Sequence, residues 1–339
     1  MVTHTAKQVA LRRGVRRLNP LRDLGPVTSI IEEGFGDDLT GPGQRALREM
    51  QFLSRMGPVL WLLLAMSPEF REYHSGFVWI EGGQVVGTLH ITRPGPYSRR
   101  WLISNVAVRV NYRGQGIGRS LMEKALAWAQ EQGGEAVFLR VRRDNTVAWS
   151  LYESLGFQPL YDSVSLRLGQ VPQVRKTATS EASLALYQPR QWRAVHGLAQ
   201  VALPSDLRWL EPVRDDDFRL SLGRRLAEWW ITVTTGRKTC RLVAHRDEQI
   251  VAAMVVKIAG QRGNHSLLFQ VHPAHRGEVE EMLVTEALSR LWPYRDRAVI
   301  ASLPAGYAEI LAVLKQYGFV ERKTLTLMRR SLSQSNQKG

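Results

Sequence analysis

Cysteine is nearly absent from this sequence of 339 residues, and its scarcity bears on the compartment. The single thiol, Cys240, cannot form a disulfide within the chain, and proteins without disulfides are typical of reducing compartments. We therefore expect a cytoplasmic protein. Because Cys240 precedes the apolar run Leu242–Ala244, we interpret it as a strand residue and not as a nucleophile.

Long hydrophobic runs are also missing. The longest extends from Val59 to Met66 between two prolines, and is far shorter than the ~20 apolar residues that cross a bilayer. The N-terminal residues show no apolar core behind a positively charged start, so no signal peptide is predicted. We expect no transmembrane segment, and we interpret the run as a buried or interface helix.

Acidic residues are few: 31 Asp and Glu stand against 46 Lys and Arg, which gives a formal net charge of +15. The densest basic cluster, residues 12–17, is short and has no aromatic residue interleaved for base stacking. A basic surface that attracts phosphates or acidic partners explains the charge as well as a polynucleotide would, so we do not expect a nucleic-acid partner.

Metal-ligand patterns are lacking as well. His265, His272 and His275 lie close together in the sequence, but no cysteine or carboxylate pattern completes a set of ligands. We predict no metal site.

What the sequence does contain is an apolar strand pattern that stops at three closely spaced glycines, Gly114, Gly116 and Gly118, where a helical pattern begins. Glycines let successive amide groups turn toward one point, and the helix adds its unpaired N-terminal amides, so the turn predicts a phosphate site. A dinucleotide fingerprint would need glycine where Arg119 stands, and a nucleotide-triphosphate loop needs a Gly-Lys-Ser/Thr that is absent. A turn that merely packs tightly remains the alternative.

A second informative stretch extends from Asn145 to Phe157. Asn145 favours a helix start and Gly156 a helix end. Five residues between them are predicted to share one buried face: Val147, Ala148, Leu151, Tyr152 and Leu155.

The first motif, Arg-x-x-Gly-x-Gly after Val-Ala-Val, and the second, Asn-x-x-Ala-x-x-x-Tyr-x-x-x-Gly-Phe, resemble the hallmarks of the GNAT acetyltransferase superfamily. The resemblance in motifs covers residues 77–168. It implies an α+β fold whose fourth and fifth strands splay apart to admit acetyl-CoA as a co-substrate, with no metal. The implied binding residues are Val106, Ala107, Val108, Arg113, Gly114, Gln115, Gly116, Ile117, Gly118, Arg119, Ser120, Asn145 and Tyr152.

The resemblance also suggests a catalytic acid. A phenol of pKa ~10 beside the thioester can protonate a departing thiolate whose thiol has pKa ~8.5, and Tyr152 is the candidate. Members of the family often carry a glutamate on the strand before the loop, where this chain offers only Ser104 and Asn105. The candidate base or acceptor-contacting residues are Glu32, Glu33, His74, His90 and Asn105, each with a surface or packing role as the alternative.

The second half of the chain repeats the order of elements in the first. Ala125–Leu126 and Ala287–Leu288 are separated by the same offset as Gly156–Phe157 and Gly318–Phe319, which predicts an internal duplication. We predict two tandem GNAT-like domains in a mycothiol-synthase-like arrangement, each a twisted mixed, mostly antiparallel sheet flanked by helices. Their predicted bounds are residues 1–172 and 184–339, with a linker at 173–183.

The second copy is predicted to be degenerate. Its loop follows Arg276-Gly277 with Glu278, Val279, Glu280 and Glu281, and carboxylates at a pyrophosphate site repel the ligand. In the second copy, Leu314 occupies the position that corresponds to Tyr152. We expect this copy to support the fold and to wall the acceptor site.

The predicted function is an acetyl-CoA-dependent N-acetyltransferase that acts on a primary amine, with a small-molecule acceptor as the first hypothesis. A protein lysine or N-terminal amine is the second hypothesis. A non-catalytic CoA-binding regulatory module is the third. The sequence leaves the acceptor, the acyl chain length and the oligomeric state open.

Overall fold

The computed structural model describes residues 13–36, 41–57, 65–66, 75–95, 98–175, 182–203, 215–260 and 263–332. The candidate base His74, most of the Val59–Met66 run and residues 176–181 of the predicted linker lie outside them. The chain divides into two compact units. An N-terminal unit combines Met1–Leu160 with Thr326–Gly339, and a C-terminal unit comprises Tyr161–Leu325.

The N-terminal unit contains strands and helices in the predicted order. Its strands are β1 (Arg13–Arg17), β2 (Gly76–Glu81), β3 (Gln84–Thr92), β4 (Arg100–Val108) and β5 (Ala136–Arg142). Its helices are α1 (Pro20–Phe35), α2 (Gly41–Arg55), α3 (Ile117–Glu131) and α4 (Thr146–Ser154). The next strand, β6 (Gln158–Leu168), begins here and continues into the C-terminal unit.

Local sequence explains where α1 begins and how it packs. The side chain of Asn19 accepts a hydrogen bond from the Leu21 amide at 3.1 Å, and Pro20 occupies the first helical position. The predicted apolar face is buried against the sheet, as expected from its helical spacing, and consists of Leu24, Val27, Ile30 and Ile31.

Arginines of the basic cluster have individual partners within the unit. Arg16 forms two hydrogen bonds with the buried Asp23, Arg13 pairs with Glu81 at 3.3 Å, and Arg17 stacks 4.6 Å from the Trp128 ring. These side chains therefore stabilise the fold.

The C-terminal unit repeats the same order of elements. After β6 its strands are β7 (Ser183–Leu186), β8 (Lys238–Arg246), β9 (Gln249–Ile258), β10 (His265–Val271), β11 (Val299–Pro304) and the first part of β12 (Val320–Ser331). Its helices are α5 (Trp192–Ala202), α6 (Asp215–Phe218), α7 (Leu222–Thr235), α8 (Glu280–Leu291) and α9 (Ala308–Gln316). Cys240 lies in β8, as predicted.

Both sheets are mixed and mostly antiparallel. In the N-terminal unit the strand order is β1-β2-β3-β4-β5, and only β4 and β5 pair in parallel. In the C-terminal unit the order is β7-β8-β9-β10-β11-β6, with β10 and β11 parallel. Parallel pairs need a crossover, which α3 and α8 supply.

The sixth strand of each sheet departs from the predicted boundary at residue 172. Ser163–Leu168 pairs with β11 in the C-terminal unit, whereas Met328 and Leu332 pack in the core of the N-terminal unit beside α3. The two strands are equivalent in the duplication and have similar patterns, so the sequence does not show which sheet each one joins. The last part of β12, from Thr326 onward, therefore belongs to the first unit.

Helices α4 and α9 show the duplication most clearly, because an offset of 162 residues maps Thr146–Ser154 onto Ala308–Gln316 at both ends. The predicted buried face of α4 is wrong for one residue, because Val147 is 83% exposed. It is five residues from Tyr152, which places the two side chains on different faces of the helix.

None of the described helices is long and apolar enough to cross a membrane.

Because Met328 and Leu166 pack in the cores of different units, a substitution at each should destabilise a different helix. Met328→Ala, in the core with α3, should destabilise by about 2–5 kcal/mol through the lost side chain and the cavity left behind. Hydrogen exchange should then accelerate in α3, whereas Leu166→Ala should accelerate it in α8. Acceleration in α8 for Met328→Ala, or in α3 for Leu166→Ala, would contradict the placement of the two strands.

Candidate active site

Strands β4 and β5 separate halfway along their length. Their parallel pairing runs from Arg100 opposite Ala136 to Ile103 opposite Leu139, while β4 continues to Val108. The backbone of residues 104–108 therefore faces a gap on that side of the sheet. This is the splay that the resemblance implied, and Val106, Ala107 and Val108 lie on it.

A bulge in β4 bends the strand where the gap opens. The register against β3 shifts between Thr88 and His90, and Asn105 has a φ of 51°, in the left-handed region. A bulge of this kind redirects the side chains and amides of the bulged strand. Asn105 Nδ2 lies 3.3 Å from Nδ1 of His90, so two of the candidate acceptor residues are brought together.

The loop after β4 is shaped by glycine conformation and not by close packing. Gly114 and Gly116 both have a φ of 76°, which side-chain-bearing residues rarely adopt. A Cβ added at either position would meet no atom within 4 Å, so open space lies beside both. The alternative of a turn that merely packs tightly is therefore wrong for these two residues.

Helix α3 begins directly at this loop, with Gly116 as its N-cap. Its first turn contains no acidic residue and no side chain caps it by a hydrogen bond. The amides there lack partners within the helix, and the helix dipole adds positive potential, which suits an anion.

The arginines of the loop are held by short contacts within the unit. Arg113 Nε donates to the Val108 carbonyl at 3.1 Å, and Arg119 donates to the Ser154 hydroxyl at 2.6 Å on α4. The second contact connects the start of α3 to the helix that carries Tyr152.

Glu33 anchors α1 to the segment that leads into the loop. Its carboxylate accepts a hydrogen bond from the Val110 amide at 2.8 Å and pairs with Arg109 at 3.3 Å. The carboxylate is engaged in positioning backbone, a role the sequence did not reveal because α1 and Val110 are far apart in the chain.

The remaining carboxylate candidate, Glu32, faces α2. It accepts a hydrogen bond from Gln51 at 3.1 Å and lines a polar cleft between the two helices. The structure therefore gives the two adjacent glutamates different surroundings.

Helix α4 presents Asn145 and Tyr152 as predicted from the second motif. Asn145 is the N-cap, and its side chain accepts from the Ala148 amide at 3.1 Å. Tyr152 is buried beside Phe157. Burial raises the pKa of Tyr152 to about 12, so the phenol keeps its proton throughout the physiological range.

In the equivalent loop of the C-terminal unit, a carboxylate of the chain itself accepts the hydrogen bonds of the loop amides. The buried Glu280, at the start of α8, accepts hydrogen bonds from the amides of Gly277 at 2.8 Å and Val279 at 3.2 Å. Its other oxygen accepts from the Tyr307 hydroxyl at 2.5 Å, and burial and this carboxylate raise the pKa of Tyr307. Leu314 is buried where the other unit has Tyr152.

Among the described residues, no group of three or more His, Cys, Asp or Glu side chains could hold a metal ion. The neighbouring histidines of the second loop have other contacts. His275 pairs with Glu278 at 3.1 Å, and His272 accepts from the Ala274 amide.

Known proteins are similar in sequence to parts of this chain. Residues 46–157 match the Acetyltransferase (GNAT) family. The chain is 33% identical over 124 residues to N-alpha-acetyltransferase RimI of Mycobacterium tuberculosis, covering 35% of this chain and 75% of that protein. It is 43% identical over 53 residues to the ribosomal protein bS18-alanine N-acetyltransferase of Escherichia coli, covering 16% of this chain and 36% of that enzyme.

Solved structures share the fold over nearly the whole chain. A GCN5-related N-acetyltransferase from Sphaerobacter thermophilus superposes with a TM-score of 0.63 at 16% identity, covering 94% of this chain and 96% of that one. A tandem GNAT protein from the clavulanic acid biosynthesis pathway gives 0.57 at 14% identity, covering 96% and 100%. The predicted tandem GNAT-like fold is confirmed.

The contact of Glu33 predicts a local effect on the loop. Glu33→Ala should speed amide exchange across residues 110–113 by about tenfold, because a hydrogen bond to a charged acceptor is lost. Glu33→Gln, whose amide oxygen still accepts, should restore most of the protection. Glu32→Ala is the control, and equal acceleration in that variant would show that the contact does not hold the loop.

Proposed function

Because the chain belongs to the GNAT acetyltransferase family and is an acyltransferase, we propose that its N-terminal unit transfers an acetyl group from acetyl-CoA to a primary amine. The observation that carries this proposal is the amide-lined loop at Gly114 and Gly116, open on its outer side and adjacent to the gap between β4 and β5. The family uses acetyl-CoA as its co-substrate.

The residues around the gap fit the parts of that co-substrate. Main-chain groups of Val106 and Val108 are unpaired with β5 and can bind an extended amide-bearing chain as an added strand does, with Arg113 also donating to the Val108 carbonyl. The amides from Gly114 to Arg119 are assigned to the pyrophosphate, since they combine an anion nest with a helix N-terminus that carries no acid.

Acetyl-CoA supplies an acetyl group whose transfer leaves a thiolate. Tyr152 is assigned as the acid that donates its phenolic proton to that sulfur, and the raised pKa keeps the proton on the phenol until it is needed. Asn145 caps α4 and so fixes the helix that presents Tyr152.

The acceptor side is assigned to the bulge of β4. The pair of Asn105 and the buried His90 offers polar groups at the point where β4 leaves β5, and Asn105 stands on the strand where many family members carry a glutamate. Neither residue is a carboxylate, so we assign them to contact the incoming amine and assign the acceptance of its proton to solvent water.

A small-molecule amine is the first acceptor proposed. The second is a protein N-terminal amine, favoured by the relatives whose names describe N-alpha-acetyltransferase and alanine N-acetyltransferase activities.

The binding of CoA should show one site per chain. Isothermal titration of CoA is expected to give one equivalent, because Glu280 already satisfies the loop amides of the C-terminal unit. Gly116→Val, which forces a β-branched residue into a positive φ, should weaken binding at least tenfold. Gly82→Val is the control, since Gly82 has a φ of 56° in a distant hairpin turn with open space around it. Two equal sites would contradict the proposal.

The role of Tyr152 is tested by removing its hydroxyl. In an assay of thiol release with small amines and peptides with a free N-terminal alanine, Tyr152→Phe should lower kcat by about 10²–10⁴-fold and change CoA affinity far less. Because the folded pKa is about 12, kcat should show no decline from loss of this proton below pH 10. Tyr317→Phe in the C-terminal unit is the control. Full activity of Tyr152→Phe would remove the assignment, and the preferred substrate decides between the two acceptors.

A further inference from the structure

Helix α7 of the C-terminal unit has its polar and apolar faces reversed relative to an ordinary surface helix. Its inward side carries Glu228, which forms a two-pronged ion pair with Arg241 of β8 at 2.6 and 3.0 Å and pairs with Arg224 at 3.4 Å. Arg241 holds the pKa of the Glu228 carboxyl below its usual range. The helix is thus anchored to its unit by charge.

The outward side of α7 is apolar. Four large side chains at i, i+3, i+4 and i+7 form what we name the α7 stripe: Leu226 (66% exposed), Trp229 (59%), Trp230 (62%) and Val233 (62%). Surface helices normally turn such a stripe toward a core, and a contiguous exposed patch of this kind marks an interaction site. Tryptophan is also the residue most enriched at the energetic centres of interfaces.

The arrangement of the α7 stripe is symmetric about the midpoint between Trp229 and Trp230. Two copies of the helix packed antiparallel around a twofold axis at that point would place each tryptophan against the same tryptophan of the second copy, Trp229 on one edge of the stripe and Trp230 on the other. Leu226 would then lie against Val233 of the second copy. Twofold interfaces require this kind of self-complementary surface.

Charge is compatible with such pairing. The stripe contains no charged residue, and its flanking Arg225 would lie nearest the neutral Thr232 on the same edge of the second copy, so like charges do not meet. An anionic lipid surface would instead favour cations along both edges of the stripe. The edge beyond Trp230 carries Gly223, Ala227 and Thr234.

The available area also suits a modest dimer. Covering the exposed parts of four tryptophans and four aliphatic side chains removes roughly 1,000 Å² from solvent, at the lower end for a specific interface. We propose that the α7 stripe is the contact surface of a symmetric homodimer formed with a second copy of this chain. Dimerisation is independent of the acetyl-transfer proposal, because it uses only the C-terminal unit.

Sedimentation velocity from about 1 to 100 μM tests the proposal in the full chain, in the concentration range of interfaces of this size. The wild type should shift from the 38.4 kDa monomer toward twice that mass. The double variant Trp229→Gln/Trp230→Gln should stay monomeric, with unchanged circular dichroism. Leu186→Gln, at a 60% exposed position on β7, is the matched control and should dimerise like the wild type. A wild type that stays monomeric, or a double variant that still dimerises, would overturn the proposal.

Cross-linking tests the register. In a Cys240→Ser background, chains with Leu226→Cys mixed with chains with Val233→Cys should form a disulfide-linked dimer, and each variant alone should form far less. Cross-links between like positions would overturn the antiparallel pairing. A third measurement is co-sedimentation of the protein with phosphatidylglycerol vesicles. If the wild type binds the vesicles but does not self-associate, and the tryptophan double variant does not bind them, the partner of the α7 stripe is a membrane surface and not a second copy.

Discussion

Backbone amides that lack a partner within their own helix are the constraint on which both units depend. A loop that turns its amides toward the start of a helix concentrates positive potential and must be matched by an anion. In the C-terminal unit the match is internal, because the Glu280 carboxylate receives the amides of Gly277 and Val279. In the N-terminal unit the first turn of α3 has no acid, and open space lies beside Gly114 and Gly116. The duplicated loop thus differs between the units in what its amides can bind, and the residue at the first helical position decides the difference.

The same contrast extends to the surrounding side chains. Tyr307 replaces Asn145 at the start of the corresponding helix and donates to Glu280, so the residue that caps α4 in one unit completes the carboxylate's hydrogen bonds in the other. The buried Leu314 replaces Tyr152. Tyr307 and Leu314 are consistent with the loop, because its amides are hydrogen-bonded to a side chain of the chain itself. The C-terminal unit keeps the order of elements but has different side chains at both of these positions.

Contacts distant in the sequence connect the helices to the loop of the N-terminal unit. Glu33 joins α1 to the Val110 amide, and Arg119 joins the start of α3 to Ser154 on α4. Sequence reasoning grouped Glu33 with Glu32 as equivalent candidates, but only the former reaches the backbone before the loop. It also predicted Val147 on the buried face of α4, where the exposed side chain shows that helical spacing alone is a coarse guide in a helix of nine residues.

The sequence by itself determined the family, the element order, the glycine loop, the helix from Asn145 to Gly156 and the carboxylates that replace glycines in the second loop. These depend on local spacing, which fixes backbone conformation and the periodicity of apolar faces. Only the tertiary structure decided that β6 and the last part of β12 join opposite units, that Asn105 bends β4 beside His90, and that Glu280 satisfies the second loop. Those outcomes depend on which of several similar partners meet in space, and strand pairing and side-chain contacts across the chain leave no trace in local spacing.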